Sequence, residues 1–241
     1  MLVYSVCCWH NFICNLRFYW IKMNKFIHKI VCLLYPNRCV FCDKVIEENI
    51  SVCKSCIKGI KEHENHHSFR TMFGKIRCVS PFIYDGLPKK AISWFKYHNA
   101  KNNAAALARY MIFQIRRYYK DVKFDYAVYI PTTAKRIRER GYNQAELLYK
   151  EIAPRIGVSA NDEILIKTSE TKEQKWLSYS ERIGNLSNAF SVSDKYDLNG
   201  KTILIIDDVH TTGATIDAAA QTLYNSGAKE VMAVTFARVQ K

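Results

Sequence analysis

The sequence predicts a mixed α/β protein: a parallel sheet flanked by helices, preceded by a small cysteine-bearing ribbon. Three observations predict this. Beyond residue 80, short apolar runs alternate with stretches of helical periodicity, the pattern of strand–helix units built into a parallel sheet. One of those runs, residues 202–206 (TILII), is continuously apolar, as a strand buried on both faces must be. Ahead of this region four cysteines fall in the pattern C-x2-C-x10-C-x2-C. The chain has 241 residues, 49% hydrophobic and 24% charged, which excludes disordered and collagen-like classes and is long enough to bury a core without disulfides.

Residues 1–22 are rich in aromatics and cysteine, but His10, Asn11, Asn15 and Arg17 interrupt every apolar run, so no spanning helix of about 20 residues is expected. Arg17 follows the apolar stretch rather than preceding it, unlike the charge of a secretory signal. Met23 opens MNKFIHKIVCLLYP, which reads as an amphipathic helix ending before Pro36. The expected functional start is Met23, with 1–22 untranslated, and the expected location is the cytoplasm.

Cys39-Val-Phe-Cys42 and Cys53-Lys-Ser-Cys56 each form a knuckle that turns two thiolates toward one point. Two knuckles make a tetrahedral four-sulfur site suited to Zn²⁺. In a reducing compartment metal outranks two disulfides, and a redox C-x-x-C would not need a second copy. Sulfur fills all four positions, so the zinc is expected to be structural. His63, His66 and His67 read as a solvated linker, and Cys7, Cys8, Cys14, Cys32 and Cys78 show no pairing pattern. The expected organisation is an extension and helix over 1–35, the zinc ribbon over 36–60, a linker over 61–80 and the α/β domain over 81–241.

Within that domain, helical periodicity runs through Ile92, Phe95, Leu107, Tyr110, Met111 and Ile115, broken near residues 99–103. Residues 125–130 (DYAVYI) form a strand stopped by Pro131, and 143–156 a helix that Pro154 ends early. After the strand 202–206 come a helix over 214–226 and a strand over 230–237 (EVMAVTFA).

Charge is unevenly spread. The formal net charge is +14, and residues 88–150 carry fourteen basic and four acidic side chains, whereas 200–241 carry four of each. A basic middle favours polyanions: nucleic acid, nucleotide phosphates or an anionic membrane. Solvated lysines that only keep the protein soluble are the plain alternative.

The most informative segment is residues 203–215, ILIIDDVHTTGAT. A buried strand ends in two carboxylates, and a small-residue loop then leads into a helix. Ligands of open α/β sheets bind beyond the carboxyl ends of the strands. Amides of residues 211–215, with the hydroxyls of Thr211, Thr212 and Thr215, can surround a phosphate, and Gly213 lets the backbone approach it; Ala214 opens the helix. Asp207 and Asp208 would repel that phosphate, so their partner is expected one sugar's width away, the vicinal hydroxyls of a ribose. No Walker lysine follows the glycine, which argues against an ATPase.

The string IIDDVHTTGAT resembles the phosphoribosyl pyrophosphate (PRPP) signature of type I phosphoribosyltransferases. Further segments resemble the ComF family: Tyr84-Asp-Gly86 with Phe95-Lys-Tyr97, the run Arg136-Ile-Arg-Glu-Arg-Gly-Tyr-Asn-Gln144, and Gln174-Lys-Trp-Leu177 with Glu181-Arg182, Asn185 and Ala189-Phe190. The resemblance runs in order from about Cys39 to Arg238. That family couples an N-terminal zinc ribbon to a phosphoribosyltransferase-like domain, and several members serve DNA uptake in natural competence. It implies binding of PRPP with Mg²⁺, and single-stranded DNA and competence proteins as partners. The alternative it implies is an active phosphoribosyltransferase of nucleotide metabolism with an unidentified acceptor base. This chain departs from the family after Pro131, where Thr132-Thr133-Ala134 replaces an apolar residue followed by His or Ser, in the loop that contacts pyrophosphate in type I enzymes.

Lys135, Arg136, Arg138 and Arg140 crowd six residues after the strand 125–130. Three uses stay open: the pyrophosphate of PRPP, the phosphates of single-stranded DNA with Tyr142 or Trp94 stacking on bases, or a solvated face. Residues 168–188 sit where type I enzymes carry a mobile flap, and by resemblance Gln174, Arg182 and Asn185 are its functional candidates.

Overall fold

A strand buried on both faces must divide its side chains between two cores, and the run 202–206 does so. In a computed structural model describing residues 36–65, 67–70, 76–98, 100–160, 163–168 and 189–240, Leu204 and Ile206 join one core while Ile203 and Ile205 join the other. The helix expected between Met23 and Pro36, and the flap candidates Gln174, Arg182 and Asn185, lie outside the described residues.

In chain order the elements begin with helix α1 (Lys54–Gly59), strands β1 (Phe69–Arg70), β2 (Arg77–Val79) and β3 (Phe82–Ile83), and helices α2 (Gly86–Tyr97) and α3 (Ala104–Tyr118). There follow strand β4 (Tyr126–Tyr129), helices α4 (Ala134–Arg140) and α5 (Gln144–Ile152), and strands β5 (Leu165–Lys167) and β6 (Phe190–Val192). Strand β7 (Thr202–His210), helix α6 (Ala214–Asn225) and strand β8 (Glu230–Arg238) complete the set. The main sheet runs β1-β2-β8-β7-β4, with β3 also pairing β8; every pairing is parallel except that of β1 with β2. Register sets Val128 beside Ile205 and Ile205 beside Ala233. Strands β5 and β6 form a separate antiparallel pair.

Helices α2, α3 and α5 cover one face of the sheet; α6 and the β5–β6 pair cover the other. Each helix follows its apolar spacing. In α2 the buried stripe is Pro88, Ala91, Ile92 and Phe95, and in α3 it runs through Leu107, Met111 and Ile115. The expected break appears as the end of α2 at Tyr97 and a 3-10 turn at Lys101–Asn103. Pro154 falls in the 3-10 turn Ala153–Ile156 that closes α5. Among the described residues no helix is long and apolar enough to cross a membrane.

Three expectations are corrected. The strand expected over 202–206 continues through Asp207 and Asp208 to His210, because β8 supplies partners beyond the apolar run, with Asp207 opposite Thr235, Val209 opposite Ala237 and His210 opposite Arg238. The stretch 61–80, expected as a linker, contributes Arg77–Val79 as a strand parallel to β8. His63, expected in solvent, lies against Gly86 so closely that a Cβ there would meet its ring nitrogen at 2.3 Å. Gly86 also has a φ of +47°, so both space and backbone require glycine at the start of α2.

The ribbon shares the core of the main domain. Phe41, between two cysteines of one knuckle, is fully buried, with its ring 5.9 Å from those of both Phe82 and Tyr110 and 6.4 Å from that of Phe236.

Candidate functional site

The first site is the cysteine cluster. The sulfurs of Cys39, Cys42, Cys53 and Cys56 all lie within 4.8 Å of one another, and the thiols of Cys42 and Cys53 are 3.7 Å apart. Backbone amides of Cys53 and Cys56 donate to the sulfurs of Cys39 and Cys53, each at 3.4 Å. Such donors stabilise thiolates. The amide of Cys56 leads in lowering the Cys53 thiol to about 7, while burial pushes the Cys56 thiol up. Four convergent sulfurs, half of them buried, fit Zn²⁺, and the cluster is a structural zinc site.

The second site is a cleft of about 380 Å³ past the carboxyl end of β4 and against the carboxyl-terminal half of β7. Asp207 and Asp208, set side by side in a rigid strand, form part of its wall with Thr215, Pro131 and Thr132. The Asp208 amide donates to Oδ1 of Asp207 at 2.8 Å, and Oδ2 of Asp208 meets Nζ of Lys96 at 2.8 Å. Burial, aided by the charge of Asp208, pushes the Asp207 carboxyl up to about 8; the Asp208 amide, Lys96 and Arg136 pull against this.

Helix α4 sorts the basic run. Thr133 caps it by accepting from the Arg136 amide at 3.2 Å. Arg136 and Arg140, four residues apart on one helical face, line the cleft, whereas Lys135 and Arg138 are exposed outside its lining. Thr132 turns to the cleft while Thr133 is spent on the cap. Of residues 211–215 only Thr215 joins the wall. Thr211 and Thr212 are exposed on the loop, the Thr212 hydroxyl accepts from the Ala214 amide at 3.4 Å, and Gly213 has a φ of +84° that admits glycine.

Sequence reasoning missed three groups here. Lys96 was quoted only as part of a motif, yet it reaches Asp208 from the last turn of α2. Lys167, at the end of β5, lines the cleft; burial, with a smaller part from Arg136, lowers its ammonium from the ordinary value. Gln144 is 3% exposed; its Oε1 accepts from Arg140 at 3.0 Å, which leaves Nε2 as a donor with no partner among the described residues. Buried amides are normally satisfied, so an orphan at a cleft wall marks a place for a ligand acceptor. Tyr142, expected to be available for stacking on bases, is instead 7% exposed, donates its hydroxyl to the Phe95 carbonyl and carries Lys101 over its ring. It is a pillar between α2 and the α4–α5 turn.

A family model described as a phosphoribosyl transferase domain matches residues 143–241, and one described as a double zinc ribbon domain matches residues 30–67. The DNA utilization protein YhgH of Salmonella typhi is 28% identical over 200 residues, covering 80% of this chain and 86% of that protein. Competence protein F of Haemophilus influenzae is 30% identical over 152 residues, covering 61% and 66%. Competence protein ComFC of Bacillus subtilis is 28% identical over 228 residues, covering 83% and 91%.

Proposed function

The chain belongs to the ComF family, and on that premise we propose that its cleft binds PRPP or a related ribose 5-phosphate and that it serves DNA uptake by handling single-stranded DNA in the cytoplasm. The observation that carries the ligand reading is the meeting of two carboxylates with four cations, Lys96, Arg136, Arg140 and Lys167, in one cleft. A ligand with a diol at one end and a polyanion at the other satisfies both sets.

In this reading Asp207 and Asp208 accept from the ribose hydroxyls, and Lys96 yields Asp208 to them. The loop amides and hydroxyls of Thr211, Thr212, Gly213, Ala214 and Thr215 hold the 5-phosphate at the N-terminus of α6. Arg136, Arg140, Lys167 and the Gln144 amide face the pyrophosphate. Mg²⁺ bound with PRPP supplies neutralisation among its oxygens. Lys135 and Arg138, outside the cleft, meet DNA phosphates, so one short helix serves two anions. The flap candidates Gln174, Arg182 and Asn185 remain part of the proposal. The cytoplasm is the reducing compartment in which four thiols hold zinc.

A second reading, an active transferase, is favoured by the cations gathered where pyrophosphate would leave. There the C1–O bond breaks with its electron pair on pyrophosphate, and a nitrogen of an unidentified base gives its pair to C1 and loses its proton to solvent. The chain's contribution is positional and electrostatic, without a covalent nucleophile.

The test is calorimetric titration of the zinc-loaded protein with PRPP and Mg²⁺ beside the Asp207→Asn/Asp208→Asn variant. Saturable binding that the double variant loses is expected. Failure of the parent to bind removes the sugar-phosphate reading. The DNA role falls separately if single-stranded DNA does not bind at low salt and loss of the gene leaves transformation unchanged.

A further inference from the structure

Helix α2 buries one stripe and presents another. Opposite Pro88, Ala91, Ile92 and Phe95 stand Lys90, Trp94 and Tyr97, at i, i+4 and i+7, with His98 one turn after Trp94. The Trp94 and His98 rings lie 3.9 Å apart between centroids, and Tyr97 is 67% exposed. The Arg140 guanidinium sits 5.4 Å over the Tyr97 ring. Arg140 also lines the cleft, as does Lys96 beside Tyr97, so the aromatic face and the cleft adjoin. Ile137 of α4 adds an apolar side chain that is 44% exposed. Helix α2 contains no acidic residue, and α4 contains only Glu139 among its cations.

Adjacent exposed rings rimmed by charge mark an interaction surface. What covers these must offer flat apolar faces and negative charge together. The bases of a nucleic-acid strand do so when unpaired, since a duplex stacks their faces away and shows only base edges and backbone. We propose that the α2 face formed by Trp94, Tyr97 and His98, flanked by Arg140, is a base-stacking platform for single-stranded DNA beside the cleft. The platform rests on the single-stranded DNA reading and names where the bases go. The phosphates follow the exposed cations of α4. Arg140 is shared, so a strand on the platform and a ligand in the cleft contact the same guanidinium.

The test is fluorescence anisotropy of the zinc-loaded protein with a labelled oligo-dT and an abasic oligonucleotide of equal length, each across a salt series. The parent protein is expected to prefer oligo-dT. Tyr97→Ala and Trp94→Ala each lower oligo-dT affinity by about tenfold, the scale of one lost stack, and leave the abasic affinity and the salt slope unchanged. Tyr97→Phe keeps the affinity. Lys135→Ala/Arg138→Ala does the reverse, weakening both oligonucleotides and reducing the salt slope by about 0.7 per charge removed. Tyr97 is exposed, so its alanine variant folds even if that of half-buried Trp94 does not. Equal parental affinity for the two oligonucleotides overturns the platform while the DNA reading stands. No binding of either removes the DNA reading itself. Loss in Tyr97→Ala of free nucleobase binding to the PRPP-loaded cleft, with oligo-dT affinity intact, assigns the face to an acceptor base and overturns the proposal.

Discussion

Replacing Phe41 by alanine separates a ribbon that merely hangs on the domain from one that completes its core. Phe41 belongs by sequence to a zinc knuckle, but its neighbours Phe82, Tyr110 and Phe236 belong to β3, α3 and β8. Truncating a fully buried phenylalanine costs about 3–5 kcal/mol in transfer and cavity terms. The edge-on contacts with Phe82 and Tyr110 place this site toward the upper part of that range, since each such pair contributes about 0.5–1.5 kcal/mol beyond burial. A loss of roughly 4 kcal/mol is a large fraction of the usual stability of a domain. Urea denaturation of zinc-loaded protein, followed by far-ultraviolet circular dichroism, measures it. The expected result is one cooperative transition whose midpoint moves far down in Phe41→Ala. A change below about 1 kcal/mol, or a parent that melts in two separate steps, would refute the shared core.

Stripping zinc with a chelator is expected to lower the midpoint of that same main transition, and purified protein should carry one zinc per chain by metal analysis. Tyr142→Phe leaves the Phe95 carbonyl without its buried donor and should cost about 1–2 kcal/mol in the same unfolding assay, although the change removes a single oxygen. For Asp207, burial and its neighbour Asp208 hold the native proton to about 8, whereas the unfolded carboxyl loses its proton near about pH 4. Between those values the native state binds more protons, so this group makes stability fall as pH rises through the window. Asp207→Asn should flatten the urea midpoint across that window and lie above the parent at its alkaline end; an unchanged slope would assign the effect to another group.

The contiguous parts of the site were legible because each residue type has one economical reading in its setting. Two acids at the end of an apolar strand before Thr-Thr-Gly, and four cysteines in two knuckles, state their chemistry within a few positions. The cations that complete the cleft were not legible as a set, because Lys96, Arg136 and Lys167 are brought together only by folding over the sheet. Exposure was harder still. Tyr142 and Tyr97 look equally available in the sequence, yet packing buries the first and leaves the second in water. The apolar run marks the strand only as far as residue 206, because acids are poor strand formers, and the pairing with β8 carries it on to His210. Residues 77–79 were too short a run to announce a strand.

Strand β8 occupies the middle of the sheet, between β7 and the pair β2 and β3. Residues 230–238 nevertheless leave the ribosome after every element they join; Ser80 and Thr235, hydrogen-bonded across β2's end and β8, are 155 residues apart in sequence. Until that strand emerges, β7 has an open edge, and open edges recruit other chains. Translation order therefore rules out piecewise folding from the N-terminus: the knuckle holding Phe41 can collect its metal early but waits for Phe236 to close over it. A chain that lacks the strand Glu230–Arg238 leaves the middle of the sheet open and is an aggregation hazard.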